Sequence, residues 1–186
     1  MEPDTGDTRY RPTALILHWA IAAAVILLIA AGLTVHYDLV GRPAHKVIVF
    51  LHIGTGLTVF VLMALRLLYR LANPPPPLPD GIPRHERILA TLGHWSFYAL
   101  ILAMPVFGVL FVEAKGRAVT WFDAFALPRF VGKDAAIHHD FAFLHFWGGI
   151  TLIVLIAVHV GAVVLHHRRG HRILRRMLPL RVRVSG

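Results

Sequence analysis

Thirteen histidines stand against no cysteine in this chain of 186 residues. Five of them, His18, His52, His94, His145 and His159, lie in long apolar runs. A polar side chain in such a run is costly to keep in hydrocarbon, and it is retained for a function or for pairing between helices. The neutral imidazole is a good ligand for iron, zinc or copper. The lack of cysteine removes disulfides, thiolate metal sites and covalent attachment through C-x-x-C-H. His145 and His159 bracket an uncharged stretch, FWGGITLIVLIAV. Fourteen residues of helix end about 40° short of four turns, so both imidazoles face the same way, roughly 21 Å apart along the axis. One helix can therefore supply a ligand to each of two stacked sites.

The elements that position these residues follow from composition. The chain is 56% hydrophobic and 16% charged, with a mean hydropathy of +0.63. A soluble domain of this length carries more charge. The charges cluster at the termini and in three short segments. The bare stretches between them predict four membrane helices, at about 13–35, 46–68, 88–112 and 141–166. Only helix satisfies its backbone within each span, and Pro105 is expected to kink the third rather than end it. The first span is too long for a signal peptide, and Glu2, Asp4 and Asp7 precede it. NPPPPLPDGIP, from Asn73 to Pro83, reads as a stiff extended linker.

Four spans put both termini on one side. Lys and Arg number thirteen on that side and six on the other. The positive-inside rule therefore predicts cytoplasmic termini. The net charge of +9 is explained by this topology. No basic stripe interleaved with aromatics marks a nucleic-acid surface.

With orientation fixed, the histidines fall into two layers. His52 and His145 lie in the outer leaflet, and His18, His94 and His159 in the inner leaflet. Zinc or copper alone wants three or four ligands, and the outer layer offers two. Haem iron needs one or two axial ligands. The expected pairs are His18 with His159 and His52 with His145. Gly56 stands four residues after His52, Gly148 and Gly149 three and four after His145, and Gly161 beside His159. These glycines leave room for a flat macrocycle. Arg66, fourteen residues after His52, shares its helix face and the depth of His18 and His159, so it is expected to hold a propionate of the inner haem.

Each feature taken singly has a structural alternative. A membrane histidine pairs helices, glycines pack them, and an arginine anchors at the interface. The joint arrangement carries the cofactor reading. His166, His167 and His171 read as headgroup-facing. His138 and His139 read as loop histidines ahead of span four, or as reserve ligands. Trp19, Trp95 and Trp147 read as interface or packing residues.

LILHW around His18, FLHIGTG around His52, RLLYRLANPPPPLP, LGHWSFYALILAMPVFG and the closing LHFWGG, AVHVGAVVLHH and LRRMLP resemble the prokaryotic cytochrome b561 family. The resemblance covers nearly the whole chain, with the motifs in family order. It implies an all-α protein, an integral membrane four-helix bundle of the bacterial inner membrane with two non-covalent haems b stacked across the bilayer. The single membrane domain would span 1–186, with both termini cytoplasmic. The matching ligand positions are His18, His52, His145 and His159. The family does not use the position of His94 as an axial ligand, which leaves it to line the inner haem or a quinone site. Phe146 departs from the polar or acidic residue that many relatives carry after the ligand histidine.

The family includes a superoxide oxidase that passes electrons through both haems to ubiquinone. Lys115, Arg117, Arg129 and Lys133 in the third loop, with Arg42 and Lys46 in the first, form a positive funnel for a small anion, or else anchor headgroups or bind propionates. His94, Arg66 and Trp19 are the candidates for a quinone pocket. The spans hold no interior Asp or Glu to relay protons. Three functions stay open: a superoxide:quinone oxidoreductase, a cytochrome subunit serving a partner dehydrogenase, and a non-redox metal-binding or transport bundle.

Overall fold

The computed structural model describes residues 9–78, 81–171 and 173–178. Glu2, Asp4 and Asp7, the linker positions Pro79 and Asp80, and the terminal Arg172, Arg181 and Arg183 lie outside that range. Four long helices form: α1 (Pro12–His36), α2 (Arg42–Ala72), α3 (Arg84–Ala114) and α4 (Ala135–Arg168). Pro12 and Pro43 sit in the first turns of α1 and α2, where a missing N–H costs nothing. At the start of α4, the Asp134 carboxylate accepts from the N–H groups of Ala136 (2.8 Å) and Ile137 (3.0 Å), satisfying two donors that no helical carbonyl reaches. α2 stops at Asn73 because prolines fill 74–77 and cannot continue the ladder. α3 runs on through Pro105.

Hydropathy marks only the part of a helix that lies in hydrocarbon, and polar turns extend each helix beyond it. α2 therefore begins at Arg42 rather than near Lys46, and α4 at Ala135 rather than near Phe141. The second extension carries His138 and His139 on a helix instead of in a loop.

All four helices are long and apolar enough to cross a membrane. Leu27, Leu68, Leu89 and Val158 are 63–67% exposed, and apolar surface of this kind on every helix is the surface that lipid covers. Inside, Ile21, Val25, Val59, Met63, Tyr98, Ile101 and Leu152 form a core drawn from all four helices. α1 lies along α2 and α3 along α4, with α2 meeting α3, while α1 and α4 barely touch. The bundle is thus two helix pairs with a cleft between α1/α2 and α4.

One end of the bundle carries the termini and the proline linker, and the other carries the two loops after α1 and α3. At the terminal end, α5 (Ile173–Met177) is strapped to the start of α1. The Trp19 indole N–H donates to the Met177 carbonyl (2.7 Å), and the Tyr10 N–H to that of Arg176 (3.4 Å). Arg176 is buried and donates to the Pro77 carbonyl (2.9 Å). At the loop end, the connection after α3 forms a small hairpin of β1 (Thr120–Trp121) and β2 (Phe125–Ala126). Phe122 and Asp123 hold left-handed φ values of 47° and 56° at its tip, a strained choice for residues other than glycine. Docking offsets that strain. The Phe122 ring fills the space where a Cβ on Gly54 would sit, and Trp121 donates to the Thr58 hydroxyl (3.0 Å). Glu113, 1% exposed, fastens the other side of the loop, accepting from the N–H groups of Phe130 (2.8 Å) and Val131 (3.2 Å).

Candidate cofactor site

The four helices bring four of the five membrane histidines together in pairs at two levels. Near the loop end, the ring centres of His52 on α2 and His145 on α4 lie 6.0 Å apart, with their planes at 69°. Near the terminal end, His18 on α1 and His159 on α4 lie 6.4 Å apart at 60°. A metal–imidazole bond of about 2 Å, added to a ring radius of about 1.1 Å, separates two axial imidazole centres by about 6.2 Å. Both pairs are therefore spaced as two ligands on one metal ion would be. Among the described residues no group of three or more His, Cys, Asp or Glu side chains is gathered as for a metal ion bound by side chains alone. Two imidazoles match what a haem, which brings four ring nitrogens of its own, would ask of the protein.

The loop-end pair faces a cavity of about 530 Å³, a size that suits a cofactor. Gly56 and Gly149 line it, as do Met104 and Phe146. Gly56 has no atom within 4 Å of where its Cβ would be, so the space beside it is open. Gly148 instead packs on Met104, whose Sδ lies 2.5 Å from the position of its absent Cβ. Gly161 has open surroundings at its own Cβ position.

The ligand rings are held from behind. His145 Nδ1 lies 3.0 Å from the Met104 carbonyl. A carbonyl only accepts, so Nδ1 carries the proton and Nε2 keeps its lone pair for a metal. His52 Nδ1 is buried without a hydrogen bond of ordinary geometry, with the Leu28 carbonyl as the acceptor it faces.

Around the terminal-end pair, His94 on α3 is a third imidazole, its ring centre 6.0 Å from that of His159. Phe97 packs edge-on to His159 at 5.6 Å. The Arg66 guanidinium lies within electrostatic reach of His18, His94 and His159. It donates from Nε to the Tyr98 hydroxyl (3.3 Å), and Arg70 covers the Tyr98 ring at 5.7 Å. Trp19 stands edge-on to His18 at 5.2 Å, with its N–H committed to α5.

The loop-end basic residues divide. Lys115 and Arg117 line the cavity, together with His36 and His45. Arg129 is exposed away from the lining, and Lys133 lays its methylenes along Gly116. Phe146 stacks on His36 (4.3 Å, 25°) at the rim. His138 donates from Nδ1 to the Phe111 carbonyl (2.9 Å), with Phe111 between it and His145.

Sequence reasoning did not single out Gly32, Gly108, Met104, Tyr98, His36 or His45. These residues meet the site through contacts between helices, which no spacing along one helix encodes.

The model of the family described as prokaryotic cytochrome b561 matches residues 9–180, and the chain belongs to that family. Its relatives include cytochrome b561 homolog 2 of Escherichia coli (strain K12), 32% identical over 165 residues, which are 86% of this chain and 85% of that protein. Cytochrome b561 homolog 1 of the same organism is 29% identical over 175 residues, 93% and 98% of the two chains. A protein named probable superoxide oxidase CybB, from Yersinia pestis, is 24% identical over 163 residues, 86% and 89% of the two chains. Family and fold together define a multi-pass bacterial membrane cytochrome with b-type haem that works in electron transfer.

Proposed function

We propose that this chain binds two haems b and conducts electrons from a donor at the loop end, in the periplasm, to a quinone near the terminal end, in the cytoplasmic leaflet. The observation that carries this reading is the pair of imidazole spacings, 6.0 and 6.4 Å, at two levels of the bundle. His52 and His145 hold one haem, and His18 and His159 the other. His94 is as near to His159 as His18 is, but it stands on α3, the helix packed most extensively along α4, which favours His18 as the partner. α1 and α4 stand apart, and His18 and His159 bridge that gap. Arg66 is suited to a propionate of the second haem, being beside both ligands. Haem bound at these positions supplies one-electron chemistry between ferric and ferrous iron.

The excess of Lys and Arg at the terminal end supports its cytoplasmic assignment. For the donor we favour superoxide. Lys115 and Arg117 at the cavity rim attract a small anion, and one relative carries the name of a probable superoxide oxidase. Each superoxide gives up one electron and leaves as dioxygen. Two such electrons and two protons convert a ubiquinone to its quinol. His94 beside His159, Trp19 beside His18, and Arg66 within electrostatic reach of both support a quinone head group near the terminal-end pair.

The test is a superoxide pulse on purified protein with and without quinone. Rapid haem reduction, followed by reoxidation when quinone is present, is expected. Haems that ignore superoxide would instead favour a cytochrome subunit fed by a dehydrogenase, and a preparation free of haem would favour the non-redox bundle.

A further inference from the structure

Both ligand rings at the loop end rest against a glycine of the neighbouring helix in their own pair. A Cβ on Gly108 of α3 would stand 3.2 Å from Cε1 and 3.4 Å from Nδ1 of His145 on α4. A Cβ on Gly32 of α1 would stand 3.4 Å from Cε1 of His52 on α2. Contacts of 3.0–3.4 Å are tighter than nine in ten real Cβ contacts, so a methyl at Gly108 forces the ring to give by a few tenths of an ångström, whereas a methyl at Gly32 meets His52 at ordinary contact distance. The same turn of α3 presents the Met104 carbonyl to His145 Nδ1 at 3.0 Å. Pro105, which has no N–H, already interrupts the helix ladder in this turn. His145 is thus gripped on two sides by α3 backbone, one contact a hydrogen bond and the other a missing side chain. The terminal-end pair lacks this grip. Gly161, two residues from His159, has nothing within 4 Å of its Cβ position, and aromatic side chains flank His159 instead.

We propose that Gly108 is a positioning residue that fixes the rotation of the His145 ring, with the Met104 carbonyl fixing its tautomer. The inference rests on the haem reading above and extends it to residues that touch ligand imidazoles from behind. The two rings meet at 69°. In a low-spin iron with two imidazoles, that interplanar angle governs the splitting of the iron orbitals, and so the electron paramagnetic resonance signal. A ring turned by an added methyl changes the angle without removing a ligand.

The test is electron paramagnetic resonance on the oxidised, full-length protein, with haem content measured on the same sample. In Gly108→Ala the signal of the loop-end haem should shift while that of the other haem stays. Gly32→Ala, whose methyl meets His52 at ordinary contact distance, should leave both signals in place. Gly132→Ala, at a loop glycine with nothing within 4 Å, should move neither. Loss of the loop-end haem alone also supports the inference. Two haems with both signals unchanged in Gly108→Ala would overturn it, as would loss of both haems together. Fewer than two haems in the unsubstituted protein would count against the two-haem reading itself, so the two failures are separable.

Discussion

His159 has two imidazoles at nearly the same distance, His18 and His94. Depth along a helix put both in one leaflet but says nothing about which helices are packed, and the pairing expected from the sequence was with His18. On the proposed reading His18, on the helix that is not packed along α4, shares the haem with His159. His94→Ala is therefore expected to leave two haems per chain, with any loss falling on quinone reduction. His18→Ala is expected to leave one haem. Haem content per chain in the two purified variants checks this. The residues that brace the ligands were hidden for a related reason. Gly56 and Gly149 could be read from their spacing to a histidine on the same helix, whereas Gly108 and Met104 act on a histidine forty residues away in sequence.

The four helices were legible as elements because hydrocarbon imposes a single rule on the backbone and writes it as long uncharged runs. Their ends were less legible, since the polar turns of α2 and α4 lie outside the part that hydropathy marks. The hairpin between α3 and α4 was not visible at all. Its tip uses Phe122 and Asp123 at left-handed φ, where a sequence signal would have been glycine or asparagine. The docking of Phe122 on Gly54 and the clasp of Glu113 make up for the missing turn chemistry. Glu113→Ala leaves two part-buried backbone N–H groups without their acceptor, at a cost of about 1–3 kcal/mol. A lower thermal midpoint in detergent, followed by haem absorbance, is the expected result. Gly54→Val should unseat the Phe122 ring and open the loop to proteolysis between Lys115 and Lys133, read by peptide mapping.

Across the whole molecule, the two helix pairs and the loop strapped to α2 enclose a path of histidines from one end to the other. α4 contributes to both levels, and its fourteen-residue spacing sets their separation. If an anion feeds the loop-end site, long-range attraction by Lys115 and Arg117 sets its arrival rate. That rate should fall as ionic strength rises and the Debye length shrinks below about 10 Å. Lys115→Gln with Arg117→Gln should flatten the salt dependence while leaving both haems bound, as measured by stopped-flow reduction. The central claim is two haems on two imidazole pairs. Its most direct test is haem stoichiometry with a redox titration of purified His145→Ala beside the unsubstituted protein. The account predicts two haems and two redox transitions in the unsubstituted chain, and one of each once His145 is removed. A single haem in the unsubstituted protein, or two haems retained without His145, would contradict it.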